Sequence, residues 1–462
     1  MKLISTVAMG AFVFALGACG GEKTAIPTVT TNPVLDSTFG TNGIMAMPLS
    51  TTTHDRFMAV TVAPDGRVYA AGYIIEGGDT MMALVRLDAN GTFDKTFGKD
   101  GIAAVNAAPG GKAAEQARSV VVQESGKIVI SGPAEHNVTA SGEAARDTDV
   151  FLARFDDTGK LDTAFGNSGV ARIDLGTGRV TTGTTFIGDT SWGMSNLPGD
   201  RLVVLGSRLA DGAGRTDSDY VVIGLTSSGA LDTTFGTGGK VVFDLDKSLD
   251  VPKTVLVQPD GKIVATGYST GADGVITPVL IRLSAGGVPD ATFGKNGIAT
   301  TRILPGVAES YAVGLQGDRY ISAGYGRGAS ATEKVDIIVE RFKADGSWDT
   351  TFGKEGLTRI DISKDDDRAR NLIVLPDNRI LIVGSGKKSA LNVDAMIVLL
   401  GANGEPVASF GENGNLISDL GGPADAWYGI AISPDKKYVY ISGYKGTEGS
   451  GNDDSMMARI KL

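Results

Sequence analysis

The dipeptide Phe-Gly returns seven times along this chain, and its spacing constrains the fold more than any other feature. Six copies stand in the phrase Asp-x-x-Phe-Gly: Asp36/Phe39/Gly40, Asp94/Phe97/Gly98, Asp162/Phe165/Gly166, Asp232/Phe235/Gly236, Asp290/Phe293/Gly294 and Asp349/Phe352/Gly353. The seventh, Phe410/Gly411, lacks the Asp. Successive Phe residues lie 58, 68, 70, 58, 59 and 58 positions apart. A period near sixty, filled with strand-like segments, marks an array of supersecondary units that bury their apolar faces against one another.

One period shows what the unit is. After Gly98 comes the short apolar run 101–105, then 117–132, which reads as two strands around a Glu-Ser-Gly turn, then 149–156. These are short strands bounded by Gly, Asp and Pro. The central hairpin recurs as AVTVAPDGRVYAAGY at 59–73 and TVLVQPDGKIVATGY at 254–268. Pro presets φ for such a tight turn and Gly accepts positive φ. Four antiparallel strands per unit, repeated seven times, predict an all-β, seven-bladed β-propeller.

A propeller must join its ends. The chain stops at 456–462, the counterpart of strand 149–156, with no fourth strand after it. The spare pieces, 35–40 and 43–49, stand at the other end. The N-terminal strand is therefore expected to complete the last blade. This is the phasing of WD-repeat propellers, without their signature dipeptides. The Asp-x-x-Phe-Gly phrase together with the Pro-Asp-Gly-Lys hairpin resembles the delta-60 repeat family of bacterial propellers. The resemblance spans 35–462 and implies a fold, but no chemistry.

Residues 1–18 carry Lys2 and a mostly apolar run from Leu3 to Leu16, too short to span a bilayer, and read as an export signal. Leu16-Gly17-Ala18-Cys19 resembles the bacterial lipobox, which implies lipidation of Cys19, the only cysteine. Gly20, rather than Asp, after that Cys implies the outer membrane. Residues 19–34 are then a lipidated Cys with a polar tether, and the membrane is met through lipid alone. The net charge of −10 argues against nucleic acid as a partner. Two histidines, His54 and His136, leave little room for multi-histidine chemistry.

Three recurrent series of polar residues invite a role. Arg86, Arg154, Arg282, Arg341 and Arg459 sit in the third strands, with Gly224 and Leu399 breaking the run, and are expected to pair with the Asp of the motif that follows. Asp55, Glu115, Asp189, Asp250, Asp367 and Asp425 each lie five residues before an apolar position of the hairpin's first strand, with Glu309 shifted by one. Asp79, Asp149, Asp219, Asp336, Asp394 and Asp454 precede third strands. An Asp at a strand entry ties turns through backbone N–H groups. The functional reading of the same acids is a rim around one channel mouth that could hold Ca²⁺.

The segments between second and third strands, 133–148, 207–218, 269–278, 325–335, 385–393 and 445–453, are polar and unequal in length. Variable loops on a rigid repeat are where binding usually resides. His136, Arg208, Arg327 and Lys445 are candidate contact residues there, with Trp192 and Trp427 at the strand entries. No nucleophile elbow, P-loop or zinc-protease motif occurs. The expected function is a non-catalytic, lipid-anchored envelope module that binds a protein or glycan through one loop face, with no cofactor beyond a possible Ca²⁺. The alternative is a metal-dependent, lactonase-like hydrolase with acids at the channel mouth, an analogy of fold alone.

Overall fold

The computed structural model describes residues 34–50, 54–111, 115–136, 147–180, 186–212, 214–245, 247–389, 392–446 and 453–462. Residues 1–33, with Cys19 and the stretches read as export signal and tether, lie outside the described residues. Among the described residues every regular element is a β-strand.

The unit read from the sequence is the unit that forms. Asp55–Val62, Val68–Glu76, Asp79–Leu87 and Ile102–Val105 pair antiparallel in that order. The same order holds for Ser119–Val122, Ile128–Glu135, Thr148–Phe155 and Val170–Ile173. It recurs down the chain. Two neighbouring units are additionally joined by one parallel pairing, Ile276 with Val307. The segment 385–393, expected as a loop, is mostly strand: Ile380–Ser389 pairs with Asn392–Leu400 out to Ser389 and Asn392.

The chain's two ends share a sheet. Asp454–Lys461 pairs on one side with Tyr438–Lys445 and on the other with Ile44–Ala46, in the register Ile44–Ala458, Met45–Met457 and Ala46–Met456. Val34 and Leu35 extend the pairing to Lys461 and Ile460. The first strand of each unit touches the first strand of the next, and Ala426–Ile432 in the last unit touches Asp55–Val62 in the first.

Each apolar core is shared between consecutive units. One holds Ala71, Leu84 and Phe97 together with Ile130, Phe151 and Phe155. Another joins Phe39 and Met47 to Val60, Val68, Tyr440 and Met457. The motif Phe residues lie in these cores, fully buried in six copies and 3% exposed at Phe410. Gly40 follows at φ 55°, where a Cβ would stand 2.2 Å from the Ile44 carbonyl oxygen, so the turn requires glycine.

The third-strand arginines lock this end of the unit. Arg154, Arg282, Arg341 and Arg459 bring Nε to within 2.8–3.0 Å of Asp162, Asp290, Asp349 and Asp36, and Arg86 reaches Asp94 through Nη2 at 2.8 Å. Each guanidinium also lies over the motif Phe, 4.6–5.0 Å from the ring centre. Arg86 and Arg341 reach on to carbonyls of the next unit, at Asp157 and Ala402. Where Gly224 replaces the Arg, Arg201 of the second strand reaches Asp232 at 2.6 Å. Where Leu399 replaces it, the motif Asp is missing too, so neither partner is stranded.

Candidate functional site

The recurrent acids at the first-strand entries are buried. Asp55, Asp250, Asp367 and Asp425 are 0% exposed, and Glu115 and Asp189 are 1%. Their carboxylates accept backbone N–H groups from the connection that leads in from the preceding outer strand. Asp55 takes Leu49 and Ser50 at 3.0 Å, Glu115 takes Ala107 at 2.8 Å, Asp250 takes Leu245 at 2.8 Å, and Asp425 takes Leu420 at 2.7 Å. Asp189 bonds Leu175, and Asp367 takes Ile362 at 2.6 Å and Ser363 at 3.0 Å. Burial pushes these carboxyls up, Asp189 to about 8, Glu115 and Asp250 to about 7, and Asp425 to about 6.

Glu309 differs. It pairs across the strand with Tyr325, whereas Asp55 and Asp250 stand one register position earlier, where the fifth copy has Ala308. Glu309 interacts with the hydroxyls of Tyr268, Tyr311 and Tyr325.

What converges on the axis is a different set. Each first strand but one slips register just after its acid, at Met58, Trp192, Lys253, Tyr311, Arg370 and Tyr428. Arg118, immediately before Ser119–Val122, takes the same place in the remaining unit. The slip is a β-bulge, which re-aims the extra side chain. Glycine in the second strand permits it. A Cβ at Gly72 would stand 1.7 Å from the Arg56 carbonyl oxygen, and one at Gly324 1.7 Å from that of Glu309. The same conflict recurs at Gly132, Gly206, Gly267, Gly384 and Gly443.

These bulged side chains line one cavity of about 120 Å³, with Thr254 and Asn371. After Met58 they alternate cation and aromatic in chain order: Arg118, Trp192, Lys253, Tyr311, Arg370, Tyr428. Arg118 lies 4.2 Å and Lys253 3.9 Å from the Trp192 ring centre. Lys253 is 4.5 Å and Arg370 5.2 Å from Tyr311, and Arg370 is 5.4 Å from Tyr428. Burial pushes Lys253 down to about 7 and Arg118 down to about 10. Only Trp192 of this set was singled out from sequence. The others stand three residues after a recurrent acid (two after Glu309) and two before a recurrent apolar residue, a position whose identity changes from each unit to the next.

The remaining candidates are scattered. Trp427 is fully buried in a core with Val383, Ile397 and Ile441. His136 bonds Asp149 at 2.9 Å, which holds its imidazole above the ordinary range. Arg208 pairs with Asp211 and Asp219, Arg327 bonds the Ser330 carbonyl, and Lys445 stands 3.6 Å from Asp454. Among the described residues three groups of acids and one of two acids with a histidine could offer ligands to a cation: His136/Asp149/Asp174, Asp217/Asp219/Asp244, Asp336/Asp361/Asp367 and Asp394/Asp419/Asp425. In the first three a guanidinium already sits among the carboxylates: Arg172 on Asp149, Arg215 on Asp217 and Asp244, and Arg359 on Asp336. That places a positive charge where a metal would sit, so those three fit Ca²⁺ poorly.

Residues 63–97 and 258–293 match a family model described as a domain of unknown function (DUF5122) beta-propeller. With the repeated four-stranded sheets, this marks the chain as a repeat protein of β-propeller type. No curated protein matches the sequence. Among solved structures, a protein of unknown function from Dyadobacter fermentans is 10% identical, with 91% of this chain and 99% of that one covered, at a TM-score of 0.39. Sqt1 from Chaetomium thermophilum, bound to the N-terminus of ribosomal protein L10, is 10% identical over 90% and 100%, at 0.44. A Trypanosoma rangeli sialidase in complex with sialic acid is 11% identical over 87% and 60%, at 0.42.

Proposed function

We propose that this chain is a seven-bladed β-propeller, closed by its N-terminal strand and tethered through lipid on Cys19 to the outer membrane. In this reading residues 1–18 are the signal, 19–34 the lipidated tether and 35–462 the propeller. It serves as a non-catalytic module that binds a protein of the cell envelope through the face of the second-to-third-strand loops. One observation carries the reading: the two ends of each unit differ. At one end the same Asp–Arg–Phe clamp recurs from unit to unit. At the other, the connections differ in length and carry unlike charged side chains, among them Arg208, Arg327 and Lys445. A surface that differs in every unit suits one extended partner rather than a repeated ligand.

Capture from solubilised membranes tests it. Replacing 210–217 and 328–335 with Gly-Ser chains of equal length should abolish recovery of the partner. Replacing the opposite turns at 64–66 and 259–261 should not. Capture that survives the loop replacement defeats the reading, and selective capture of a glycan instead replaces protein with sugar as the ligand. The anchor is tested separately. Cys19→Ser should shift the chain from the membrane to the soluble fraction, because a lipid-anchored chain loses its hold with the lipid. Quantitative retention in washed membranes would refute the anchor.

A further inference from the structure

The ring of bulged side chains on the axis collects charge that the protein does not neutralise. Arg118, Lys253 and Arg370 line the same cavity, and none of the described residues lining it is acidic. Glu309 is the carboxylate that acts on Lys253, and it also interacts with three tyrosine hydroxyls. Three cations set against one carboxylate stand out in a chain whose net charge is −10.

The aromatic rings hold these cations, since a ring face attracts positive charge. A ring face offsets only part of a buried charge and gives an N–H group no lone pair. Arg370 Nε and Trp192 Nε1 are both buried without a hydrogen-bond acceptor. Arg118 donates from Nη1 to Thr190 Oγ1 at 2.9 Å. Unpaired buried donors and unopposed buried charge are both costly, and each is relieved by the same thing, an oxyanion. The space suits a small one, since about 120 Å³ equals roughly four waters at ~30 Å³ each. Thr254 and Asn371 add neutral polar groups to its wall.

We propose that this ring is a binding site for a small multivalent oxyanion, the chemistry shared by inorganic phosphate and a dicarboxylate, seated between Arg118, Lys253 and Arg370. The three cations come from alternate units, so they approach the axis from separated directions and suit an anion with charge on more than one oxygen. The aromatic side chains between them fix their spacing. Lys253 supports the assignment: burial depresses it, Glu309 opposes, and Arg118 and Arg370 add to the depression. That like-charge crowding is what an anion would remove.

The test uses the full chain in detergent, at about pH 6, where Lys253 is charged. Thermal midpoints are followed against sodium phosphate and sodium malonate, with sodium chloride holding ionic strength constant. Phosphate or malonate should raise the midpoint saturably, by mass action on the folded state, while chloride alone does not. The anion with the larger response identifies the source. Lys253→Met and Arg370→Gln should each weaken the apparent affinity at least about tenfold. Both remove an unopposed charge, so both should fold at least as stably as the parent without anion. Lys253→Arg should retain binding. Absence of a saturable response to either anion would overturn the site. So would a response that persists undiminished in the Lys253→Met/Arg370→Gln double variant, and the ring would then be a structural plug. Partner capture through the loops is read out independently and stands or falls on its own.

Discussion

Deleting residues 34–49 should unfold this protein or leave it aggregating at growth temperature, while deleting 20–33 should leave its thermal midpoint unchanged. The segment forms the outer edge of the last sheet: its removal strips Asp454–Lys461 of the partners Ile44–Ala46, Val34 and Leu35. It also takes Phe39 and Met47 out of the core they share with Val60, Tyr440 and Met457. The Arg459 guanidinium loses Asp36 and is left buried without its carboxylate. Two large buried apolar side chains are worth about 1.5–3 kcal/mol each. A stranded buried charge adds about 3–5 kcal/mol. The sum rivals the whole stability of a typical domain, about 5–15 kcal/mol. The exposed strand edge would also template aggregation. Thermal denaturation of the two deletions decides the matter, and equal midpoints would refute a structural role for the shared sheet.

The repeat was legible because its determinants are local. Phe39 and its six counterparts, the Asp three residues ahead in six copies, and the Pro-Asp-Gly turns each recur at a fixed place in the period, so a period count exposes them. The Arg–Asp pairing was legible for the same reason: Arg282 and Asp290 are eight residues apart. The axial ring was not. Met58, Arg118, Lys253, Tyr311, Arg370 and Tyr428 have no single residue type in common, and their shared position is set by a backbone slip that no periodicity reports. Its trace in the sequence is the glycine opposite, Gly72 and its counterparts, which reads as a hairpin residue until the approaching carbonyl is seen. The acids were legible as a series, but their number invites two readings. Only the backbone partners, such as Leu49 and Ser50 for Asp55, show what the carboxylates contact.

Those contacts have a consequence for pH. Stability should fall as pH rises from about 5 to 7, and Asp189→Asn should flatten part of that slope. Burial raises Asp189 to about 8, Glu115 and Asp250 to about 7, and Glu340, whose two oxygens are buried without partners, well above its ordinary value. Between their ordinary values near 4 and these raised ones, the folded chain keeps protons that the unfolded chain has released. The contribution of such groups is present below the unfolded value and is lost as pH rises toward the folded one. Each contributes about 1.4 kcal/mol per pH unit across that window. The motif acids act in the opposite sense but elsewhere: hydrogen bonds from Thr96 and Thr292 hold Asp94 and Asp290 below the ordinary range, so their support is lost only in stronger acid. Lys253, lowered to about 7, gains stability only as pH climbs above that value. The interval from about pH 5 to 7 therefore reports the buried carboxyls, joined toward its upper end by His136, whose raised imidazole acts in the same sense. Asn mimics the protonated acid and keeps an oxygen for Leu175 N–H, so Asp189→Asn should match the parent near pH 4 and exceed it by about 1–3 kcal/mol at pH 7. Asp189→Ala removes the acceptor and should cost about 1–3 kcal/mol near pH 4, where the parent's carboxyl carries no charge penalty. Urea titrations of the three proteins at both pH values measure this directly. A parent more stable at pH 7 than at 5, with Asn destabilising at both, would mean that Asp189 is ionised in place and that its charge is met by a partner, a bound cation foremost.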